Sequence, residues 1–333
     1  MLSRVADSIF WIGRYVERAE NTARLLDVAL RSTRELSSFR IGADRSETDS
    51  TSDLRLVLTA LGAEALYEQR VGAVTEDGLA MFLVVDRDNP LSAVSCLTVA
   101  RDNARGVRET ISTEMWEELN RTYLSLQRVT TAYLLIEGLH DFCRQIRLGC
   151  QLFHGVTDAT MPQDEAWRFL QVGKHLERAG MTARILAARS REFDVPDERP
   201  RAEEVHRWLG LLRSISAYEA YMRLSPGGVY PAGVASFLLL SQVFPRSVAF
   251  SCRRVNEELE AIDRELGRAR TDGPSMSAGG LASRLRYTKI EALRGEAMLP
   301  FLRWVEQQCN AVGDELRSIY FESSWLERPA AVV

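Results

Sequence analysis

Residues 9–30, IFWIGRYVERAENTARLLDVAL, carry apolar side chains in two interleaved seven-residue series. The series are Ile9, Val16, Ala23 and Leu30, and Ile12, Ala19 and Leu26. A helix gathers positions at this spacing into one stripe, whereas a strand would alternate at every second residue. Such a stripe is typical of the buried seam of a helix in a bundle. The stretch therefore predicts one long helix packed against other helices.

Helical periodicity continues through most of the chain, and alternating strand patterns are hard to find. Breaks that contain polar residues, Gly or Pro fall at about 40–52, 86–89, 190–202, 225–233 and 268–280. We predict helix starts at Pro90, Pro162 and Pro245, because proline in the first turn gives up no intrahelical hydrogen bond. Asn89 is the predicted N-cap of the first of these helices. The fold class is therefore predicted as all-α, a multi-helix bundle, with a mobile loop at about 268–280.

The sequence contains an internal repeat. The segment KHLERAGMTAR (174–184) repeats RYVERAENTAR (14–24), and a gap-free offset of 160 residues aligns 13–27 with 173–187 at eight identities. A second match pairs NPLSAVSCLTV (89–99) with FPRSVAFSCRRV (244–255), with one residue inserted. It follows the first motif at a similar separation in both copies, since Pro90 lies 73 residues after Glu17 and Pro245 lies 68 residues after Glu177. Two motifs in the same order predict an internal duplication. We expect one domain over residues 1–333, with halves of about 1–155 and 156–325 related by a pseudo-twofold axis.

Charge and cysteine content limit the classes of function. The 42 basic and 46 acidic residues are mixed along the chain, so we predict neither nucleic-acid nor membrane binding. Arg4, Asp7 and Arg14 interrupt the apolar run that a signal peptide needs, so we expect no signal peptide in this segment. Five scattered cysteines without a CxxC pair fit buried reduced thiols, so we expect a cytoplasmic protein. The uncharged run between Arg223 and Arg246 contains Pro and Gly, which predicts a turn and a buried helix.

The repeated polar residues lie off the seam and have two interpretations. In the structural one, Glu17 pairs with Arg184 and Glu177 with Arg24 across the pseudo-twofold axis, and these buried ion pairs fix the register of the helices. In the functional one, the two helices line a polar cleft in which the glutamates accept an amine and the arginines bind carboxylate or phosphate. The candidate binding residues are Glu17, Arg18, Arg24, Glu177, Arg178 and Arg184.

A second cationic stripe follows Asn89. Arg101, Arg105 and Arg108 lie at i, i+4 and i+7, so one helix face presents all three. Arg101 and Arg105 are added to the candidate binding residues. The alternative is an ordinary solvated face, since Asp102 dilutes the positive charge.

A di-metal helical bundle is a further alternative, because such bundles combine single glutamates on two helices with ExxH pairs on two others. Glu137 with His140, and Glu203 with His206, have the ExxH spacing. These pairs do not align under the 160-residue offset, and Glu203 falls in a first helical turn. There is no GxGxxG, phosphate-loop or GxSxG motif. We therefore assign no catalytic residue, no metal site and no cofactor.

The residues also carry a family resemblance. The segment LSRVADSIFWIGRYVERAENTARLLD, followed by NPLSAVSCLTVARDNARGVRETISTEMWEELN and FPRSVAFSC, resembles the bacterial alpha-E family, named for its Glu-Arg motif. Departures are Gly180 and Met181 in the second copy where the first has Glu20 and Asn21, and Lys174 for Arg14. The resemblance implies an all-helical protein of a system that makes, attaches or trims peptide bonds.

Members of that family are typically encoded beside, or fused to, a circularly permuted ATP-grasp ligase, often with a transglutaminase-like peptidase. The resemblance thus implies a non-catalytic helical partner or substrate-binding subunit of the ligase, which recognises the enzyme or a peptide or amino-acid ligand through the Glu-Arg motif. An enzyme of peptide-bond formation, with Glu17 or Glu177 as general base, is the alternative.

Overall fold

The computed structural model describes residues 1–39, 47–127, 138–190, 202–225, 227–267 and 273–322. Every regular element in these ranges is helical, which confirms the all-α prediction. The helices are α1 (Ser3–Phe39), α2 (Glu47–Leu61), α3 (Glu64–Arg70), α4 (Glu76–Ala80), α5 (Ala93–Gly106), α6 (Thr113–Gln127), α7 (Leu139–Thr160), α8 (Glu165–Ala188), α9 (Ala202–Ser214), α10 (Tyr218–Leu224), α11 (Pro231–Leu240), α12 (Val248–Glu265), α13 (Pro274–Tyr287) and α14 (Met298–Leu316). Short π-helical turns, Met81–Val85 and Arg317–Phe321, extend α4 and α14.

Helices α1 and α8 form the centre of the bundle. They pack on each other, α1 also packs on α5 and α7, and α8 also packs on α12 and α14. Every predicted seam position of α1 is buried, and so are the corresponding positions of α8. Burial of each large aliphatic side chain contributes about 1.5–3 kcal/mol, so this shared seam is a main source of stability.

A close glycine crossing fixes where α1 meets α8. A Cβ atom at Gly13 would overlap the carbonyl oxygen of Leu170, and one at Gly173 would overlap the carbonyl oxygen of Phe10. The two contacts interchange under the 160-residue offset, since residues 10 and 13 correspond to 170 and 173. The central helix pair thus has reciprocal contacts. The common origin of the two halves stays a prediction.

The predicted proline helix starts are wrong by about one turn. Helix α5 begins at Ala93 and is capped by Ser92, whose hydroxyl accepts a hydrogen bond from the Ser95 amide (3.1 Å). Asn89 is buried in the preceding turn, where it donates to the Phe82 carbonyl (2.7 Å). Likewise Asp164 caps α8 and Ser247 caps α12. The side-chain acceptor two residues after each proline sets the helix start, since it satisfies an otherwise free amide.

The predicted loop at 268–280 is also corrected. Helix α13 begins at Pro274 and covers its second part, while residues 268–272 lie outside the described ranges. Ser275 donates a hydrogen bond to Asp263, and Ala278 is buried, so this segment packs on α12. Similarly, α2 begins at Glu47, inside the break predicted at 40–52.

The uncharged run forms the predicted turn and buried helix, α11. None of the helices in the described ranges is long and apolar enough to cross a membrane.

Candidate functional site

Reciprocal ion pairs join α1 and α8 beside the glycine crossing. Arg178 donates two hydrogen bonds to Glu17, from Nε (3.0 Å) and from the terminal nitrogen Nη2 (2.6 Å). Arg18 donates in the same way to Glu177 (2.7 and 2.8 Å). These bidentate pairs interchange under the 160-residue offset. We call these four residues the ER lock.

The predicted pairings of Glu17 with Arg184 and of Glu177 with Arg24 are wrong. Each glutamate binds the arginine that lies one turn beyond the glycine crossing on the other helix. Arg24, further along α1, contacts Glu20 on its own helix instead. Arg184 donates to the Ala60 carbonyl (3.1 Å) and to Glu306 (3.3 Å).

A second arginine donates a hydrogen bond to each glutamate of the ER lock, and these two arginines lie on different segments of the chain. Arg14 donates to Glu177 (2.9 Å) from the same helix face as Arg18. Arg246, in the turn before α12, donates to Glu17 (2.7 Å) and to Glu20 (2.7 Å). Arg246 was missed by the sequence reasoning, and its one signal was PRS in the second copy where the first has PLS.

Burial and charge act in opposite directions on these glutamates. Burial alone would raise the pKa of Glu17, but the charges of Arg178 and Arg246 hold that pKa well below its ordinary value. Burial is likewise outweighed at Glu177, whose pKa is lowered by Arg18 and Arg14. Both carboxylates are therefore ionised at neutral pH, with their oxygens occupied by guanidinium groups.

A polar extension lies on the Glu17 side of the ER lock alone. Glu20 is buried and accepts hydrogen bonds from Arg246, Arg24 and Gln151 (3.1 Å). The positions that correspond to Glu20 and Asn21 are Gly180 and Met181. Because Gly180 replaces Glu20 in the second copy, no carboxylate follows Glu177 at that position. Arg184, which corresponds to Arg24, binds Glu306 instead.

Glu17, Glu20 and His154 are the one group in the described ranges with ligand atoms close enough to hold a metal ion, within 4.8 Å of one another. Two carboxylates and an imidazole are a plausible set for a transition metal. However, Arg178 and Arg246 already bind these carboxylates, and their positive charges would repel a cation. The set therefore does not fit a metal ion.

The ExxH histidines do not join Glu17 or Glu177. His140 lies against Asp27, and His206 lies 3.7 Å from Glu35. Glu137 and the side chain of Glu203 are outside the described part of the chain. No di-metal arrangement forms among the described residues.

The predicted cationic stripe is only partly helical, because α5 carries Arg101 and Arg105 but ends at Gly106, before Arg108. The Arg101 guanidinium lies over Tyr123 (4.7 Å to the ring centroid) and donates to Asn120 (3.1 Å). Arg108 lies over Trp116 (4.9 Å to the ring centroid) and is exposed, as is Arg105. The structure therefore places Arg101 in the α5–α6 contact, and Arg105 is the candidate residue open to a partner.

A polar cleft of about 640 Å³ lies between α8 and α12, and Arg178 of the ER lock forms part of its wall. Trp167, Gln171, Lys174 and Arg178 line it from α8, and Phe250 and Arg254 line it from α12. The α8 residues recur at helical spacing, so one face of α8 forms this wall. The volume is in the range of small-molecule sites, about 300–1,000 Å³.

Similar proteins are found in mycobacteria. An uncharacterised protein of Mycobacterium bovis and two of Mycobacterium tuberculosis are 28% identical over 304 residues. The match covers 87% of this chain but 33% of each relative, so the chain spans about a third of their length. No solved structure matches the chain.

The family comparison covers nearly the whole bundle. The Alpha-E family model, described as a predicted alpha-helical domain with a conserved ER motif, matches residues 1–321. The matched range includes both Glu-Arg pairs of the lock. The chain therefore belongs to the Alpha-E family.

Proposed function

We propose that this protein is a non-catalytic helical partner or substrate-binding subunit of an ATP-grasp-type ligase system that forms peptide or amide bonds in the cytoplasm. The observation that carries the proposal is the ER lock, in which Glu17 and Glu177 are buried and fully engaged by arginines. The motif then fixes the relative position of α1 and α8, and recognition falls to residues around it.

The lock disfavours the alternative in which Glu17 or Glu177 acts as general base. A general base works best with a pKa near the working pH and must reach the proton that it removes. Here both carboxylates are buried, and their pKa values are lowered. An attacking amine would have to displace a bidentate guanidinium group before it met either carboxylate.

The length of the mycobacterial relatives supports a partner role. Two thirds of each relative lies outside the aligned region, so the helical domain recurs there within a longer chain. Fusion keeps two domains at high effective concentration. The ATP-grasp ligase is the partner that the family resemblance implies, and a transglutaminase-like peptidase is a second.

Ligand recognition is assigned to the borders of the lock. Arg178 binds Glu17 through Nε and Nη2, its Nη1 makes a long hydrogen bond to the Pro245 carbonyl (3.5 Å), and its side chain lines the α8–α12 cleft. A carboxylate in that cleft would therefore meet a preorganised guanidinium group. The ligand class is a peptide or amino acid. Arg105, exposed on α5, is assigned to ligase contact.

The test mixes the purified chain with the ATP-grasp-type ligase of the same genome, and records co-elution and ATP turnover with a panel of amino acids. We expect co-elution and a change in turnover. Arg105→Ala should weaken both, whereas Arg286→Ala, an exposed arginine of α13, should not. Separate elution together with unchanged turnover would contradict the proposal.

A further inference from the structure

Lys174 is a largely buried lysine that has no hydrogen-bond or ion-pair partner among the described residues. It is 7% exposed and lines the α8–α12 cleft. Buried charged groups are nearly always paired, since removal of a charge from water is costly. Its isolation is therefore a feature to be explained.

The residue type is equally unusual. Of the 42 basic residues in the sequence, only Lys174 and Lys289 are lysines. The corresponding residue of the first copy is Arg14, which binds Glu177. On the other side Arg246 takes the equivalent place on Glu17 and leaves Lys174 directed to the cleft.

Three carboxylates line the cleft, and two of them, Glu257 and Glu258, are paired with arginines. Asp158 accepts a hydrogen bond from Gln171 (3.2 Å). Glu258 is bound by Arg168 (2.9 Å) and Arg254 (2.6 Å), and Arg254 also binds Glu257 (2.9 Å). Five cationic side chains line this cleft against three carboxylates, so the charge of its lining is positive overall.

Other lining groups also lack partners. The Trp167 indole nitrogen and the Nδ1 atom of His175 are buried without a hydrogen bond. Buried polar atoms are satisfied in the great majority of cases. Both atoms are buried within the cleft wall, so Lys174 and Arg178 are the charged groups that a ligand in the cleft would meet.

We infer that the α8–α12 cleft binds an oxyanion, carboxylate or phosphate, whose charge is neutralised by Lys174 beside Arg178. The inference deepens the proposed function, since it names the part of the ligand that the cleft receives, and it rests on that function for the identity of the whole ligand. Binding to the isolated chain tests it without a ligase.

Burial, with the charges of Arg178 and Arg254, lowers the pKa of Lys174 to about 8. A bound anion favours the charged form and should raise this pKa. Because the chain has two lysines, labelling with [ε-¹³C]lysine should give two NMR signals, which Lys289→Met assigns. Lys289 is exposed and serves as the matched control.

The probes are inorganic phosphate, acetyl-alanyl-alanine and its C-terminal amide. We expect the Lys174 signal to shift in a saturable manner with phosphate, with the free peptide carboxylate or with both, while the Lys289 signal stays in place. The peptide arm would identify a carboxylate ligand, and the phosphate arm a phosphate-bearing one. The peptide amide should have no effect.

The binding variant is Lys174→Met, which keeps the aliphatic stem and removes the charge. By calorimetry it should bind the active probe at least about tenfold more weakly, as expected for loss of a charged hydrogen bond. Lys289→Met should bind as the wild type does. A Lys174 signal that responds to neither anion, or equal shifts of both lysines, would overturn the inference. Because both measurements use the isolated chain, their failure is distinct from failure of ligase co-elution.

Discussion

Arg178 of α8 grips Glu17 of α1 through two hydrogen bonds of 3.0 and 2.6 Å, and neither oxygen of this carboxylate is open to solvent. The pair lies one helical turn beyond the point where Gly13 and Gly173 bring the two backbones together. Close backbone approach and bidentate pairing thus depend on the same register. A shift of either helix by one turn would break both.

The first prediction concerns the cost of breaking the lock. Glu17→Gln and Glu177→Gln keep the side-chain shape but leave the partly buried Arg178 or Arg18 without its counter-charge. Removal of one partner of a buried pair costs about 3–5 kcal/mol. We expect each variant to lower the free energy of unfolding by about that amount in urea denaturation.

Glu109→Gln, at an exposed position, is the control for the lock variants and should change stability by less than about 0.5 kcal/mol. If the lock variants behaved like Glu109→Gln, the motif would not be a structural lock.

The second prediction concerns the glycine crossing. In Gly13→Ala the added methyl group would overlap the Leu170 carbonyl, so the helices must separate and loosen their shared seam. We expect a loss of at least about 2 kcal/mol, in the range of overpacked cores. Gly155→Ala in α7 is the control, because a Cβ atom there meets open space. That control should be neutral or stabilising, since alanine is the better helix former.

Much of the fold was predictable because the seam is periodic. The seven seam positions between Ile9 and Leu30 identified a buried face of α1, and all seven are buried. Periodicity shows which residues share a face, but it does not show where two helices cross. For that reason the predicted partners, Arg24 and Arg184, lie nearly two turns beyond the observed ones, Arg18 and Arg178.

The remaining parts of the site depend on contacts between distant segments. Arg246 lies far from Glu17 in the sequence, and only the three-dimensional fold brings them to 2.7 Å. Lys174 was visible as a departure from the repeat. The sequence does not show that Lys174 lacks a carboxylate partner, because that follows from Arg246 occupying Glu17 in the folded protein.

The third prediction concerns the loss of stability at acidic pH that Glu20 causes. Burial would raise the pKa of Glu20, but Arg246 and Arg24 lower it to about 2 from an ordinary value of 4.5. A lowered carboxylate pKa stabilises the fold above the unfolded pKa, and this stability is lost as pH falls through the folded pKa. We therefore expect the free energy of unfolding to fall between about pH 4.5 and 2. Glu20→Gln should reduce that slope, and an unchanged slope would contradict the assignment.

The last prediction concerns His154, whose titration should change the stability at a higher pH than that of the glutamates. Burial, with the charge of Lys174, lowers the pKa of His154 to about 3 from an ordinary value of 6.5. As pH falls below about 6.5, His154 becomes protonated in the unfolded chain but stays neutral in the folded chain. Stability contributed by the neutral imidazole is thus present above pH 6.5 and is lost as pH falls toward 3.

In the interval from pH 6.5 to 4.5, above the range where the glutamates titrate, one such histidine contributes a slope of at most about 1.4 kcal/mol per pH unit. His175, whose pKa burial also lowers, adds a slope of the same sign. His154→Gln should therefore reduce the slope of urea-derived stability in this interval without abolishing it. Equal slopes for wild type and His154→Gln would mean that His154 is already protonated in the fold and pairs with Glu17, which lies 3.6 Å away.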